Sequence, residues 1–316
     1  MSNEAIKIMA KPQLPWYKAF LRSVVKYKYM YLMLIPGLVY ILVFNYAPIY
    51  GLTMAFQDFK ITKGFFNSPF VGFDNFKYLF GQRAFQYALR NTIIISFYKI
   101  IFGFPIPIIL ALLINEVKIN IFKRSVQTIL YMPHFLSWII MFGLIYNLIK
   151  EFGPVDSLIK AFGGQTIHFL SDISYFRGLV VASDIWKEMG WSAIIYLAAL
   201  AGVPPELYES AVIDGASRFK CIIKISLPVI MPTITIMFLL RIGGILNAGF
   251  EQIFTMYNSA VFRVGDIIDT YVYRIAMVDS KFHISAAAGF FKSVIGCFMI
   301  LGTNALMNRF EQETLF

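Results

Sequence analysis

Little in this sequence offers reaction chemistry. Its 316 residues include two cysteines and three histidines. Cys221 falls in a polar connection and Cys297 in an apolar span, so neither a disulfide nor a thiol metal site is implied. His134, His168 and His283 stand apart from one another, outside any His-Glu-x-x-His pattern, and no metal site is expected. A G-x-S-x-G elbow is missing, and so is a Walker A run of the G-x-x-x-x-G-K-[ST] kind. No catalytic residue is assigned, and whatever energy this protein uses, it does not bind ATP by that device. Charge is scarce too, at 15% of residues, and no internal repeat stands out.

Apolar residues are what the chain has in abundance. They make up 58% of it and the mean hydropathy is +0.67, too little polar surface for a soluble fold of this size. Six stretches are long enough at 1.5 Å of rise per residue to cross about 30 Å of hydrocarbon. They run from about Tyr29 to Ile49, Thr92 to Ile114, Ser125 to Leu148, Phe176 to Leu200, Met231 to Phe250 and Ala286 to Met307. Pro105 and Pro107 should kink the second, and Pro133 lies inside the third. The expected fold is an all-α integral membrane protein with six transmembrane helices.

The formal charge of +10 is spread over loops on both sides, which argues for membrane topology and against nucleic acid as a partner. The tail before the first span carries Lys7, Lys11, Lys18, Arg22, Lys26 and Lys28 against Glu4, which places the N-terminus in the cytoplasm. Six crossings return the C-terminus there. Trp16, Tyr17, Tyr27, Tyr29 and Tyr31 mark an interfacial entry into lipid, and no cleavable signal is evident. The chain then divides into a cytoplasmic basic and aromatic segment (1–28), a first span with an external loop (29–85), a core of five spans (86–307) with a cytoplasmic connection at 203–232, and a cytoplasmic tail (308–316).

That connection is the most informative segment. Pro204 and Pro205 suit a helix start, Gly215 suits a break, and Ala216 to Ile225 suits a second short helix ended near Pro228. By itself such a segment is also an ordinary amphipathic connector on the inner surface. Its Glu209-Ser210-Ala211, Asp214-Gly215 and Ile225-Ser226-Leu227-Pro228, however, resemble the EAA loop of ABC importer permeases. Ser210 departs from the family's usual alanine. The resemblance implies that a short helix around Glu209 to Gly215 sits in a cleft of a cytoplasmic ATPase, with Glu209 as polar contact and Leu227 and Pro228 completing the motif.

Further resemblance covers nearly the whole chain and points to the carbohydrate branch of type I importers, the LplB-like permeases for oligosaccharides and polysaccharides. It rests on Lys26-Tyr27-Lys28-Tyr29-Met30-Tyr31-Leu32, Phe70-Val71-Gly72-Phe73-Asp74-Asn75-Phe76, Asn247-Ala248-Gly249-Phe250-Glu251-Gln252-Ile253-Phe254 and Asp269-Thr270-Tyr271-Val272-Tyr273-Arg274. It implies a bacterial plasma-membrane half-transporter with a second homologous permease, two ABC ATPase subunits that hold ATP and Mg, and an extracytoplasmic sugar-binding protein. No cofactor is implied in this chain itself.

Charges inside spans are costly unless paired or facing water. Lys99, Asp184, Lys187, Glu188, Arg241 and Lys292 all fall in expected spans, and Asp184 and Glu188 share a helix face. Asp184 or Glu188 is expected to pair with Lys99, Arg241 or Lys292. The purpose is either structural pairing or the lining of a cavity. For a sugar route, aromatic faces and amides are the natural candidates: Trp186, Trp191, Asn247, Glu251, Gln252, Tyr257 and Asn258. An ion-coupled secondary sugar transporter is the alternative reading. An intramembrane enzyme would have only Asp184 with Glu188 to offer as a catalytic pair.

Overall fold

The computed structural model describes residues 15–309. Glu4, Lys7, Lys11 and residues 310–316 of the C-terminal tail lie outside the described residues. Among the described residues the structure is helical, with one isolated antiparallel bridge between Gln57 and Phe70. The chain divides into two units at Thr53/Met54.

In the first unit, α1 (Trp16–Lys26) and α2 (Lys28–Ile41) are separated at Tyr27, whose N–H donates to the Ser23 carbonyl at 2.9 Å. No residue of α2 is buried, and Met33 is 83% exposed. So apolar a surface requires lipid or a partner around it.

The second unit contains α3 (Asp74–Gly81), α4 (Arg83–Tyr98), α5 (Pro105–Glu116), α6 (Asn120–Tyr131), α7 (Trp138–Ile149), α8 (Ile173–Ala201), α9 (Pro205–Ile213), α10 (Leu227–Gly243), α11 (Phe250–Met256), α12 (Ile268–Met277) and α13 (Phe282–Arg309). By length and composition, five helical runs among the described residues can cross a membrane: Lys28–Phe56, Arg83–Glu116, Trp138–Ala161, Arg218–Gly243 and Phe282–Ala305. With 29 residues α8 is long enough, at about 43 Å, but Asp184, Lys187 and Glu188 near its middle take it out of that set.

Three prolines share one solution to a common problem. A proline ring collides with the carbonyl four residues back and offers no N–H to it. For Pro48, Pro105 and Pro228 those carbonyls belong to Phe44, Ile101 and Lys224. Each is the middle residue of a five-residue π turn: Leu42–Tyr46, Lys99–Gly103 and Ile222–Ser226. Widening the turn by one residue takes up the mismatch, so the helix continues. Pro105 therefore lies within one continuous run, Arg83–Glu116. Pro228 likewise does not end the second helix of the connection, as expected from sequence, but lies within Arg218–Gly243.

Pro133 behaves differently. The expected single span from Ser125 to Leu148 is broken into α6, a 3-10 turn at Met132–Phe135 and α7. Leu136 is extended, and the Ser137 side chain caps α7 by accepting from the Ile140 N–H at 3.4 Å. The fifth expected span also ends early: α10 stops at Gly243, and a loop leads to the separate short helix α11.

The core lies in three clusters. One joins α3, α4, α12 and α13 through Leu79, Phe85, Ile268, Tyr271 and Ala287. A second joins α4, α8 and α11 through Ile95, Phe176, Val180 and Ile253. The third joins α5, α8 and α10 through Ala111, Ala193, Tyr196, Leu200 and Ile230. Along α8, the charged residues fall between the second and third clusters. Beside the first, Arg274 holds Asp266 through two hydrogen bonds, at 3.1 and 2.6 Å, and that carboxylate raises the guanidinium above its ordinary pKa. Burial pushes the neighbouring Tyr271 hydroxyl up to about 12.

The tightest helix crossing is at Gly190, where any Cβ would overlap the Leu130 carbonyl of α6. Because that obstacle is backbone, it cannot rotate away. Gly190→Ala is expected to destabilise the protein by about 1–3 kcal/mol, the usual cost of overpacking. Its level in membranes and the melting temperature of the solubilised protein should both fall; unchanged values would contradict this packing.

Candidate functional site

The expected charge network forms around Lys99, whose place in a π turn carries it into the bundle. Its ammonium donates to Asp184 Oδ1 at 2.7 Å, the Ala248 carbonyl at 2.9 Å and Gln252 Oε1 at 2.6 Å. An ammonium has three hydrogens, and all three are used. Gly249 makes the approach possible in two ways. Its φ of +100° is closed to most side chains, and a Cβ there would sit 3.0 Å from Lys99 Nζ. Gln252 is fully buried and completes the knot by donating to the Val180 carbonyl at 2.7 Å and Ser183 Oγ at 2.8 Å.

Asp184 also faces Arg241, with Oδ2 at 3.5 Å from Nη2. One turn further along α8, Glu188 accepts from His134 Nδ1 at 2.8 Å and lies 3.7 Å from Lys187 Nζ. Lys187 reaches back to the His134 carbonyl at 2.6 Å, and the His134 ring stacks on Trp191 at 4.5 Å. His134 is a member of the network that the sequence reading passed over. Its one signal is position, next to the proline that breaks the α6–α7 run and opens backbone carbonyls to Lys187. Lys292, expected in the same network, is not in it: it pairs with Asp269 on α12 at 2.5 Å.

Two adjoining clefts open beside these charges and share Leu240 and Arg241. The first, about 290 Å³, is lined by Asp184, Glu188, Ser192 and Arg241 among apolar neighbours. The second, about 240 Å³, is lined by Ser96, Lys99, Arg241 and Asn247. Of the sugar-route candidates, Asn247 lies in this second cleft. Gln252 belongs to the scaffold behind it. Asn258 anchors a loop by donating to the Leu170 carbonyl at 2.9 Å, and Tyr257 packs on Phe262. Trp186 is half-buried, while Trp191 and Glu251 are exposed.

At the end of α8 the polar connection builds a helix, a bend and a second helix. The bend is a Schellman motif: Ala216 N–H reaches the Ala211 carbonyl at 2.8 Å and Gly215 N–H the Val212 carbonyl at 3.0 Å, with Gly215 at φ +76°. Glycine is needed there for its left-handed conformation. Ser217 then caps the next helix. Glu209, Ser210, Asp214 and Gly215 are exposed, and Ala211 and Leu227 are half-buried. Val212, Ile213 and Phe219 present an uncovered apolar surface beside them. The Tyr208 hydroxyl lies 2.9 Å from the buried Ser226 Oγ, tying α9 to the root of the Arg218–Gly243 run.

Apolar helices around charge-lined clefts, with an exposed helix–bend–helix at one end, define a membrane transport subunit. Comparison with known proteins agrees. Residues 103–314 match the family model described as binding-protein-dependent transport system inner membrane component. Protein LplB of Bacillus subtilis (strain 168) is 44% identical over 315 residues, covering 99% of this chain and 98% of that protein. The polygalacturonan/rhamnogalacturonan transport system permease protein YteP of the same organism is 40% identical over 300 residues, covering 95% and 94%. Among solved structures, a chain of a bacterial ABC transporter involved in the import of the acidic polysaccharide alginate superposes with a TM-score of 0.85. That chain is 38% identical, with 92% of this chain and 99% of that one covered. This chain belongs to the binding-protein-dependent transport system inner membrane component family. It is a multi-pass permease subunit of an ABC importer, and not an enzyme.

Proposed function

We propose that this chain forms one half of the translocation path of an importer for oligosaccharides or polysaccharide fragments in the bacterial plasma membrane. It crosses six times with both termini cytoplasmic. A second homologous permease supplies the other half, two ATPase subunits bind ATP and Mg, and an extracytoplasmic sugar-binding protein delivers the substrate. The sugar-polymer names of the relatives support the substrate class. Membership of a binding-protein-dependent family leaves the ion-coupled alternative without support.

The observation that carries the coupling is that the same two helices frame both ends of the device. α8 runs from Asp184 and Glu188 at the clefts down to the connection, and the Arg218–Gly243 run climbs from it to Arg241. Displacing α9 therefore pulls on both cleft walls, through the chain at Val203 and through the Tyr208–Ser226 contact. ATP-driven closure of the ATPases moves α9, and the clefts change the side on which they open.

The test is a mild-detergent pull-down of the tagged chain from native membranes with mass spectrometry. A second permease and a Walker-containing ATPase are expected to co-purify. Recovery of the chain alone, from membranes that still import sugar through it, would overturn the reading.

A further inference from the structure

The charge count of the mid-span network does not balance. Lys99, Lys187 and Arg241 are connected by ion pairs to only two carboxylates, Asp184 and Glu188, so the network carries one positive charge in excess. Unbalanced charge inside a span is tolerated where it faces water, and an anion entering the open clefts would balance it.

The geometry identifies where that anion would bind. Lys99 has no hydrogen left to give, as described above. Lys187 is 7% exposed and spent on the His134 carbonyl and Glu188. Arg241 is different: its side chain is 46% exposed and its ion pair is a single 3.5 Å approach to Asp184, a carboxylate that Lys99 already holds at 2.7 Å. A guanidinium has five N–H donors in a planar fork suited to a carboxylate. Arg241 lines both clefts, so a ligand in either one meets that fork.

Two further observations point to a ligand with hydroxyls as well as an acid. Ser96 lines the second cleft, and its Oγ is buried behind the wall with no hydrogen-bond partner among the described residues. A serine in a helix usually bonds back to its own backbone, and an orphaned buried hydroxyl implies an absent partner. The exposed Asn247 amide faces the same space. Ile185 is shared between the first cleft and a groove of about 660 Å³, which carries Arg177, bonded to Asn91 Oδ1 and the Val264 carbonyl, with the exposed rings of Tyr98 and Phe102. Aromatic faces beside a guanidinium suit an acidic sugar ring.

We propose that the clefts around Arg241 receive a carboxylate-bearing sugar, a uronate unit, with the Arg241 guanidinium holding the carboxylate and Asn247 meeting a ring hydroxyl. The assignment rests on the importer reading and specifies its substrate. Neutral sugars would leave the excess charge uncompensated and would pass less readily.

The test uses the complete importer, with partner permease, ATPases and binding protein, in proteoliposomes. Trigalacturonate, trimannuronate and maltotriose serve as probes. Wild type is expected to accumulate a uronate trimer in preference to maltotriose, a selectivity that depends on no variant folding. Arg241→Gln should lower uronate uptake roughly ten- to hundredfold, the loss of hydrogen bonds to a charged group. Its membrane level should stay near wild type, and Arg241→Lys should be intermediate. A wild-type importer that takes maltotriose and rejects both uronates would overturn the assignment. So would an Arg241→Gln variant that transports uronate normally or is absent from the membrane. In each of these cases binding-protein-stimulated ATPase by wild type would leave the importer reading standing. Its absence would overturn the importer reading itself.

Discussion

Asp184→Ala should nearly abolish accumulation of the protein in membranes, and combining it with Lys99→Met should restore much of it. Asp184 is the one carboxylate bonded to Lys99, an ammonium 5% exposed. Removing it leaves a buried charge with only a carbonyl and an amide oxygen for partners, at a cost of about 3–5 kcal/mol. Set against a total stability on the order of 5–15 kcal/mol, that is enough to deplete the folded state. The double substitution removes both charges, leaving the Gln252 oxygen and the Ala248 carbonyl without their donor, at about 1–3 kcal/mol for each buried group, and the half-exposed Arg241 without its distant partner. The measurement is the melting temperature of solubilised protein for the two single variants and the double. Additive losses would contradict the pairing, because partners in one network must be non-additive.

Gly215→Val and Glu209→Ala should have the opposite signature, with normal amounts of protein and lost transport. At Gly215 nothing lies within 4 Å of an added Cβ, so the bundle has no reason to unfold. The left-handed turn, however, costs a β-branched residue about 1–2 kcal/mol, which loosens the bend that sets α9 against its partner. Glu209 is exposed, with no ion pair among the described residues, so under the proposed coupling its loss is felt at the ATPase surface. Uptake is expected to drop roughly ten- to hundredfold, the scale of charge-assisted hydrogen bonds at an interface. Co-purification of the ATPase should weaken in parallel. Normal uptake by both variants would remove α9 from the coupling path.

The sequence disclosed the charged hub better than it disclosed the polar path around it. Intramembrane charge is conspicuous because hydrocarbon penalises it, so Lys99, Arg241 and Lys292 stand out as partners for Asp184 or Glu188. For Lys292 that inference fails. Its true partner, Asp269, sits on α12, a helix that falls outside the apolar spans and so left no hydropathy signal. Gln252 and Asn247 look alike as amides near the end of a span, yet Gln252 is knotted into the core while Asn247 lines a cleft. Only the φ of Gly249, which turns the loop back toward Lys99, separates their fates. Proline gave a similar lesson. Pro105 reads as a kink, Pro133 as internal to one span and Pro228 as a helix end, but Pro105 and Pro228 are taken up by π turns while Pro133 opens the chain, and the local sequence does not state which. The connection was legible in its helix, bend and helix because proline, glycine and serine carry strong backbone preferences of their own.

The central claim is that this chain moves substrate only when an ATPase acts on the α9 connection. Reconstituted with its co-purifying partners in proteoliposomes, the importer should accumulate sugar when ATP and the binding protein are both supplied, and dissipating ion gradients should leave that uptake unchanged. Uptake by the chain alone, driven by an ion gradient without ATP, would contradict it.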